Sequence, residues 1–227
     1  MDPDQTFQRW IADMESIRRD VHELFRLRRT FRDVAEVFRN NPQLQEHGGH
    51  VWDWMRLNHV ASVLMRLRRL IDRQRNTVSL KQLLHEIIEQ PHVISRGRRN
   101  NRYSVESEML SDVLDREFTD RWVRERNCDP ADDHVDPAIV SADLDQLEGA
   151  LESVVQFANR AVAHRQRVPP PGTLTIKEVD RAFDAVEAVF VRYYALICGA
   201  SLVQAEPAPQ FDTHEVFTFP WIKPKEE

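Results

Sequence analysis

The decamer FANRAVAHRQ, Phe157 to Gln166, carries the side chains of this sequence best suited to phosphate chemistry. On an α-helix Arg160 and His164 are four apart and share a face, about 40° round from one another. Asn159, five before the histidine, falls about 140° from it on the same winding. An imidazole trades a proton near neutral pH, and a fixed guanidinium stabilises the charge that develops as a phosphodiester is cleaved. His164 is therefore the candidate acid/base and Arg160 the candidate phosphate clamp. The same residues also suit a plain helix end, where His164, Arg165 and Arg167 would complement unsatisfied carbonyls. A second cationic group lies upstream. MRLRRLIDRQR sets Arg66, Arg69 and Arg73 at i, i+3 and i+7 on one face, with Arg68 and Arg75 on another. Guanidinium forks match phosphate oxygens, so Arg66, Arg69 and Arg73 are candidate nucleic-acid contacts. The alternative is pairing with the acidic fourth or fifth helix.

Other chemistry is poorly represented. His47 and His50 flank two glycines, with Asp53 and His59 following, but no second pair stands at zinc-like spacing. Asp132, Asp133, His134 and Asp136 crowd one stretch without the ligand spacing of a calcium loop, and both groups read as solvated loop. No phosphate-binding glycine loop, GxSxG or Cys–His signature occurs. No metal and no cofactor are expected.

The elements that must hold these residues are helical. Phe7, Trp10, Met14, Ile17, Val21, Leu24 and Phe25 step by threes and fours, with Asp2-Pro3 as cap and first turn and NNP at 40–42 as the stop. A second run, about 50–75, places Trp54, Leu57, Val60, Leu64, Leu67 and Leu70 on one stripe. Ser79 and Gln82 form a capping box for the third, which Gln90-Pro91 ends. PHVISRGRRNN reads as a basic loop. A fourth helix covers about 104–126. Asp136-Pro137 opens a fifth that leads into the decamer, and RVPPPGTL breaks it. Thr175 and Glu178 cap the sixth, which Gly199 closes. An aromatic tail, QFDTHEVFTFPWIKP, is expected to pack back on the bundle. Six helices without strands make an all-α fold, and nothing divides 1–227 into more than one domain.

Composition agrees. The 227 residues include 41% apolar and 30% charged side chains but only 6 glycines, as a helical protein requires. Two distant cysteines make no disulfide framework. The acidic start has no signal-peptide pattern and no stretch reaches the length of a membrane span, so a soluble, cytoplasmic protein is expected. The net charge of −6 conceals an asymmetry. Residues 56–102 hold eleven cations against three acids, and residues 103–164 hold fifteen acids against five arginines. Such neighbours either neutralise one another across a bundle or expose a polyanion site.

Several stretches carry a family resemblance: RRLIDRQRNTVSLKQLLHEI at 68–87, NRAVAHR at 159–165, RYYALICGAS at 192–201 and FPWI in the tail. With the helix order, they make the chain similar to the HEPN superfamily (higher eukaryotes and prokaryotes nucleotide-binding), most of all to its abortive-infection-associated branch. The resemblance implies a HEPN-like six-helix bundle acting as a homodimer. It also implies metal-independent RNA cleavage in a composite site, in phage defence or beside an antitoxin. The superfamily signature is an arginine, a polar residue, three arbitrary residues and a histidine. His164 matches the histidine, whereas Asn159 stands where the arginine belongs and Arg160 where the polar residue does. The exchange leaves two readings. One is a module that binds or cleaves RNA; the other is a non-catalytic helical dimerisation or interaction protein.

Overall fold

The computed structural model describes residues 2–72, 74, 76–102, 108–124, 127, 129–163, 174–200 and 202–218. Among them there is no strand, only an isolated bridge between Ser95 and His134. Eight helices occur: α1 (Pro3–Asn40), α2 (Pro42–His47), α3 (Gly49–Leu70), α4 (Leu80–Glu89), α5 (Arg96–Arg102), α6 (Glu108–Trp122), α7 (Pro137–Phe157) and α8 (Ile176–Cys198). Each of the six expected runs contains a helix, but α3 stops at Leu70 short of the expected 75, and with α2 and α5 the described residues form eight α-helices where six were expected.

The local signals act much as the sequence implies. The Asp2 carboxylate accepts from the Asp4 amide at 3.2 Å ahead of Pro3, and Asp136 accepts from the Ala138 amide at 2.8 Å ahead of Pro137. Thr175 and Glu178 make a complete reciprocal box, and Gly199 takes the left-handed φ of 69° that closes α8. At Ser79 the box is half made. Its hydroxyl accepts from the Gln82 amide at 3.0 Å, but the Gln82 side chain donates to Glu86 instead of turning back. The expected basic loop after α4 is mostly helix. Ser95 opens α5, its carbonyl accepting from the Arg99 amide at 3.0 Å. Gly97 lets this helix lie against the turn Pro130–Asp132, because a Cβ there would stand 3.1 Å from the Ala131 carbonyl oxygen. That turn is not the solvated loop the acidic cluster suggested. Asp133 is buried, accepts from the Asn127 amide at 2.7 Å, and offers its carbonyl to the Arg96 amide at 2.8 Å.

One core runs through α1, α3, α4, α7 and α8. Trp10, Met14, Ile17, Val21 and Leu24 of α1 meet Val140, Leu144, Leu147, Leu151 and Val154 of α7 and Phe183, Val186, Phe190 and Ile197 of α8 in it. Each such side chain contributes roughly 1.5–3 kcal/mol on burial. The stripe on α3 divides. Leu64, Leu67 and Leu70 are buried as expected, but Val51, Trp54, Leu57 and Val60 point to solvent. Nearer its start α3 turns Trp52 and His59 inward, where both stack on Phe31 of α1. The chain after α8 is fastened just ahead of its aromatic stretch. The Ala205 amide donates to Glu187 at 2.7 Å, and Arg29 donates to the Pro207 carbonyl at 2.7 Å, while Phe211 stays 84% exposed. No helix of the described residues is long and apolar enough to cross a membrane.

Candidate functional site

The decamer does not continue α7 as an ordinary helix. From Ala158 to Ala163 the backbone widens into a π-helical turn, closed by bonds between residues five apart. Such a turn takes between four and five residues, so positions four and five apart lie on the same side of it. Asn159 and Arg160 both lie within this widened winding, and neither follows the α-helical one. Ala158 is fully buried, its amide bonded to the Val154 and Val155 carbonyls, and it anchors the turn where this packs against α3. Asn159 is half-buried and Arg160 is exposed.

Asn159 lines a groove of about 720 Å³ between α7 and the junction of α3 with α4. Ile71, Gly149 and Val155 give it a partly apolar floor. Its cations are Arg68 and Lys81, against Asp72, Asp145, Glu148 and Glu152. Lys81 is buried and forms an ion pair with Glu148. Counted over the described residues alone, the lining of the groove holds more acids than cations.

The other candidates fall elsewhere. His164 and Arg73 lie outside the described residues. Arg66 and Arg69 face α1, away from Asn159: Arg69 stands 3.2 Å from Asp20, and Arg66 is 3.7 Å from Glu23 and 4.0 Å from Asp20. Their partners are on the first helix instead of the acidic fourth or fifth. The basic and acidic blocks do meet at Lys81–Glu148 and at Arg96–Asp115, 2.9 Å apart. Arg68 and Lys81, which line the groove with Asn159, had not been singled out. The signal was present: a face of α3 distinct from that of Arg66, and a lysine two residues after the Ser79 cap. Among the described residues no group of three His, Cys, Asp or Glu side chains is placed to hold a metal ion.

A family model for the HEPN proteins described as AbiU2 matches residues 13–216. The chain belongs to this HEPN family. The AbiU2 match takes in α1 from Asp13 onward, the arginines of α3, the groove and the π-helical turn. No curated protein and no solved structure matches the chain. Within this AbiU2 HEPN chain, Asn159 and Arg160 both belong to the widened turn.

Proposed function

We propose that this chain is an abortive-infection module acting on RNA, with its reaction centre at the end of α7. The observation that carries the reading is the π-helical turn at Ala158–Ala163. Because positions four and five apart share a side of such a turn, a histidine at 164 can work with Arg160 and Asn159 together. His164 removes the proton from a ribose 2′-hydroxyl. The freed oxygen attacks the adjacent phosphorus, and the bond to the 5′ oxygen breaks. The leaving oxygen takes a proton from the second copy's His164, and a cyclic phosphate remains. Arg160 grips the non-bridging oxygens and Asn159 donates to them.

The test is cleavage of one labelled RNA by the purified protein in a chelating buffer. His164→Ala should lower the rate about 100-fold or more, and Arg160→Lys should fail because an ammonium lacks the planar fork. The double exchange Asn159→Arg with Arg160→Asn should retain cleavage, since both positions serve a widened turn. Its complete loss would return the motif to α-helical geometry, and an inert wild type at every concentration would end the enzyme reading.

A specific observation also favours the dimerisation reading. Val51, Trp54, Leu57 and Val60 make an exposed apolar stripe on α3, the kind of patch that marks interaction sites. The only charges along it, Asp53 and Arg56, lie 3.6 Å apart and offset one another. A face without net charge meets its own copy across a two-fold axis without repulsion. The occupant we assign to it is a second copy of this chain.

A further inference from the structure

Besides the groove at Asn159, the molecule has a cleft of the opposite charge. It lies between α1 and the chain that follows α8, and measures about 490 Å³. Arg19, His22, Arg26 and Arg29 line it from α1, at steps of three, four and three, which puts them on one helical face. Phe211 lines it from the opposite wall. Three guanidinium groups face a single carboxylate, that of Glu23.

The roles within the cleft differ. Arg29 builds the wall: it donates to the Pro207 carbonyl at 2.7 Å and stands 3.3 Å from Glu206. Arg19 is exposed and has no salt bridge among the described residues. Arg26 pairs with Glu23, which also receives Arg66 from α3 at 3.7 Å. Burial, reinforced by Arg18, holds the His22 imidazole below its usual pKa, so it lines the cleft uncharged at neutral pH. Arg66 and Arg69 of α3 adjoin this strip, where they pair with Glu23 and Asp20. Since α3 packs against both α1 and the π-helical turn, its last turns join this cleft to the one holding Asn159.

We infer that the cleft between α1 and residues 207–213 is a second contact for single-stranded RNA, in which a base stacks on Phe211 and the adjoining phosphates lie along Arg19 and Arg26. The inference rests on the RNA-acting reading above. Arg19 and Arg26 stand about 10 Å apart along the helix, a spacing suited to successive points on an extended strand. A cation-lined channel beside an open aromatic face is the combination by which proteins hold single strands without reading sequence. The strand is collected on the cationic side and passes over the last turns of α3 to the Asn159 groove, where the reacting phosphate is held.

The test uses fluorescence anisotropy with a 2′-O-methyl dodecauridine, which cannot be cleaved through its 2′ oxygen. Wild type should bind, and Phe211→Ala should weaken binding about tenfold, with Phe211→Trp restoring it. Arg19→Gln combined with Arg26→Gln should flatten the slope of log affinity against log salt by about 1.4. Lys177→Gln, on the exposed start of α8, should bind as wild type does. Phe211 is exposed, so circular dichroism should find all these variants folded. If wild type binds and neither the Phe211 nor the arginine variants differ from it, the cleft is not the contact, though the RNA-acting reading survives. If wild type does not bind at all, both fail. If poly-glutamate displaces the RNA as well as unlabelled dodecauridine does, the cleft recognises negative charge without a base, and the inference is overturned.

Discussion

Glu86 shows how much one carboxylate can organise. It accepts from Arg9 at 2.6 Å, from the indole of the fully buried Trp10 at 2.8 Å, and from Gln82 at 3.2 Å. Burial by itself would raise its pKa, but these donors outweigh burial and hold the carboxyl below its ordinary value. Its folded pKa is depressed, so its contribution to stability is present above the unfolded value, about 4.3, and is lost as pH falls through the folded one. Glu86→Gln should cost about 1–3 kcal/mol at pH 7, because it weakens charge-assisted bonds and leaves the Trp10 donor poorly served. Denaturant titrations should show that cost shrinking below pH 4; a cost unchanged down to pH 3 would refute the assignment. None of this was legible in the sequence, where Glu86 reads only as a polar position between apolar ones. Gln82 is four positions away, but Arg9 and Trp10 come from 77 and 76 positions away, and no local pattern announces them. The proposed pair Arg160 and His164, by contrast, rests on residue type and short spacing, which the sequence displays directly.

Among the elements, those with strong local instructions matched expectation and those shaped by neighbours did not. Caps at Asp2, Asp136 and Thr175 fix the starts of α1, α7 and α8 whatever surrounds them. The π-helical turn has no comparable sequence signal, because ANRAVA reads as good α-helix and the widening shows only in the folded chain. The start of α3 was misjudged for another reason. It has apolar side chains on more than one face, and periodicity cannot tell which face a neighbour will cover. Phe31 and Phe38 of α1 decide the matter by engaging Trp52. Trp54 and Leu57 are thereby left outward, and an element-scale prediction concerns them. Trp54→Lys with Leu57→Lys should convert a dimer to a monomer by light scattering while the helical circular dichroism is unchanged. A dimer that survives both substitutions would exclude this face.

For the whole molecule, the sequence leaves two readings of the adjoining charge blocks, and the structure pairs them only in part. Lys81 and Glu148 join α4 to α7, and Arg96 and Asp115 join α5 to α6, whereas Arg66 and Arg69 use α1. Charge totals carry no direction, so they could not say which helix faces which. The Lys81–Glu148 pair joins a buried lysine of α4 to a half-buried carboxylate of α7. Lys81→Met should lose about 1–2 kcal/mol by leaving a carboxylate without its counter-ion, and adding Glu148→Leu should recover most of it. Strict additivity of the two losses in thermal melts would show that the pair is not coupled. The longest helix has a further consequence. α1 runs for 38 residues, about 57 Å, and much of its inner face is covered by residues made late. Tyr194 reaches back to Glu15 across 179 positions, and Asp180 to Arg28 across 152. During synthesis α1 must wait on the ribosome with apolar side chains uncovered until α8 emerges. The chain is therefore most dependent on chaperones, and most open to proteases, in the interval before its last helix is complete.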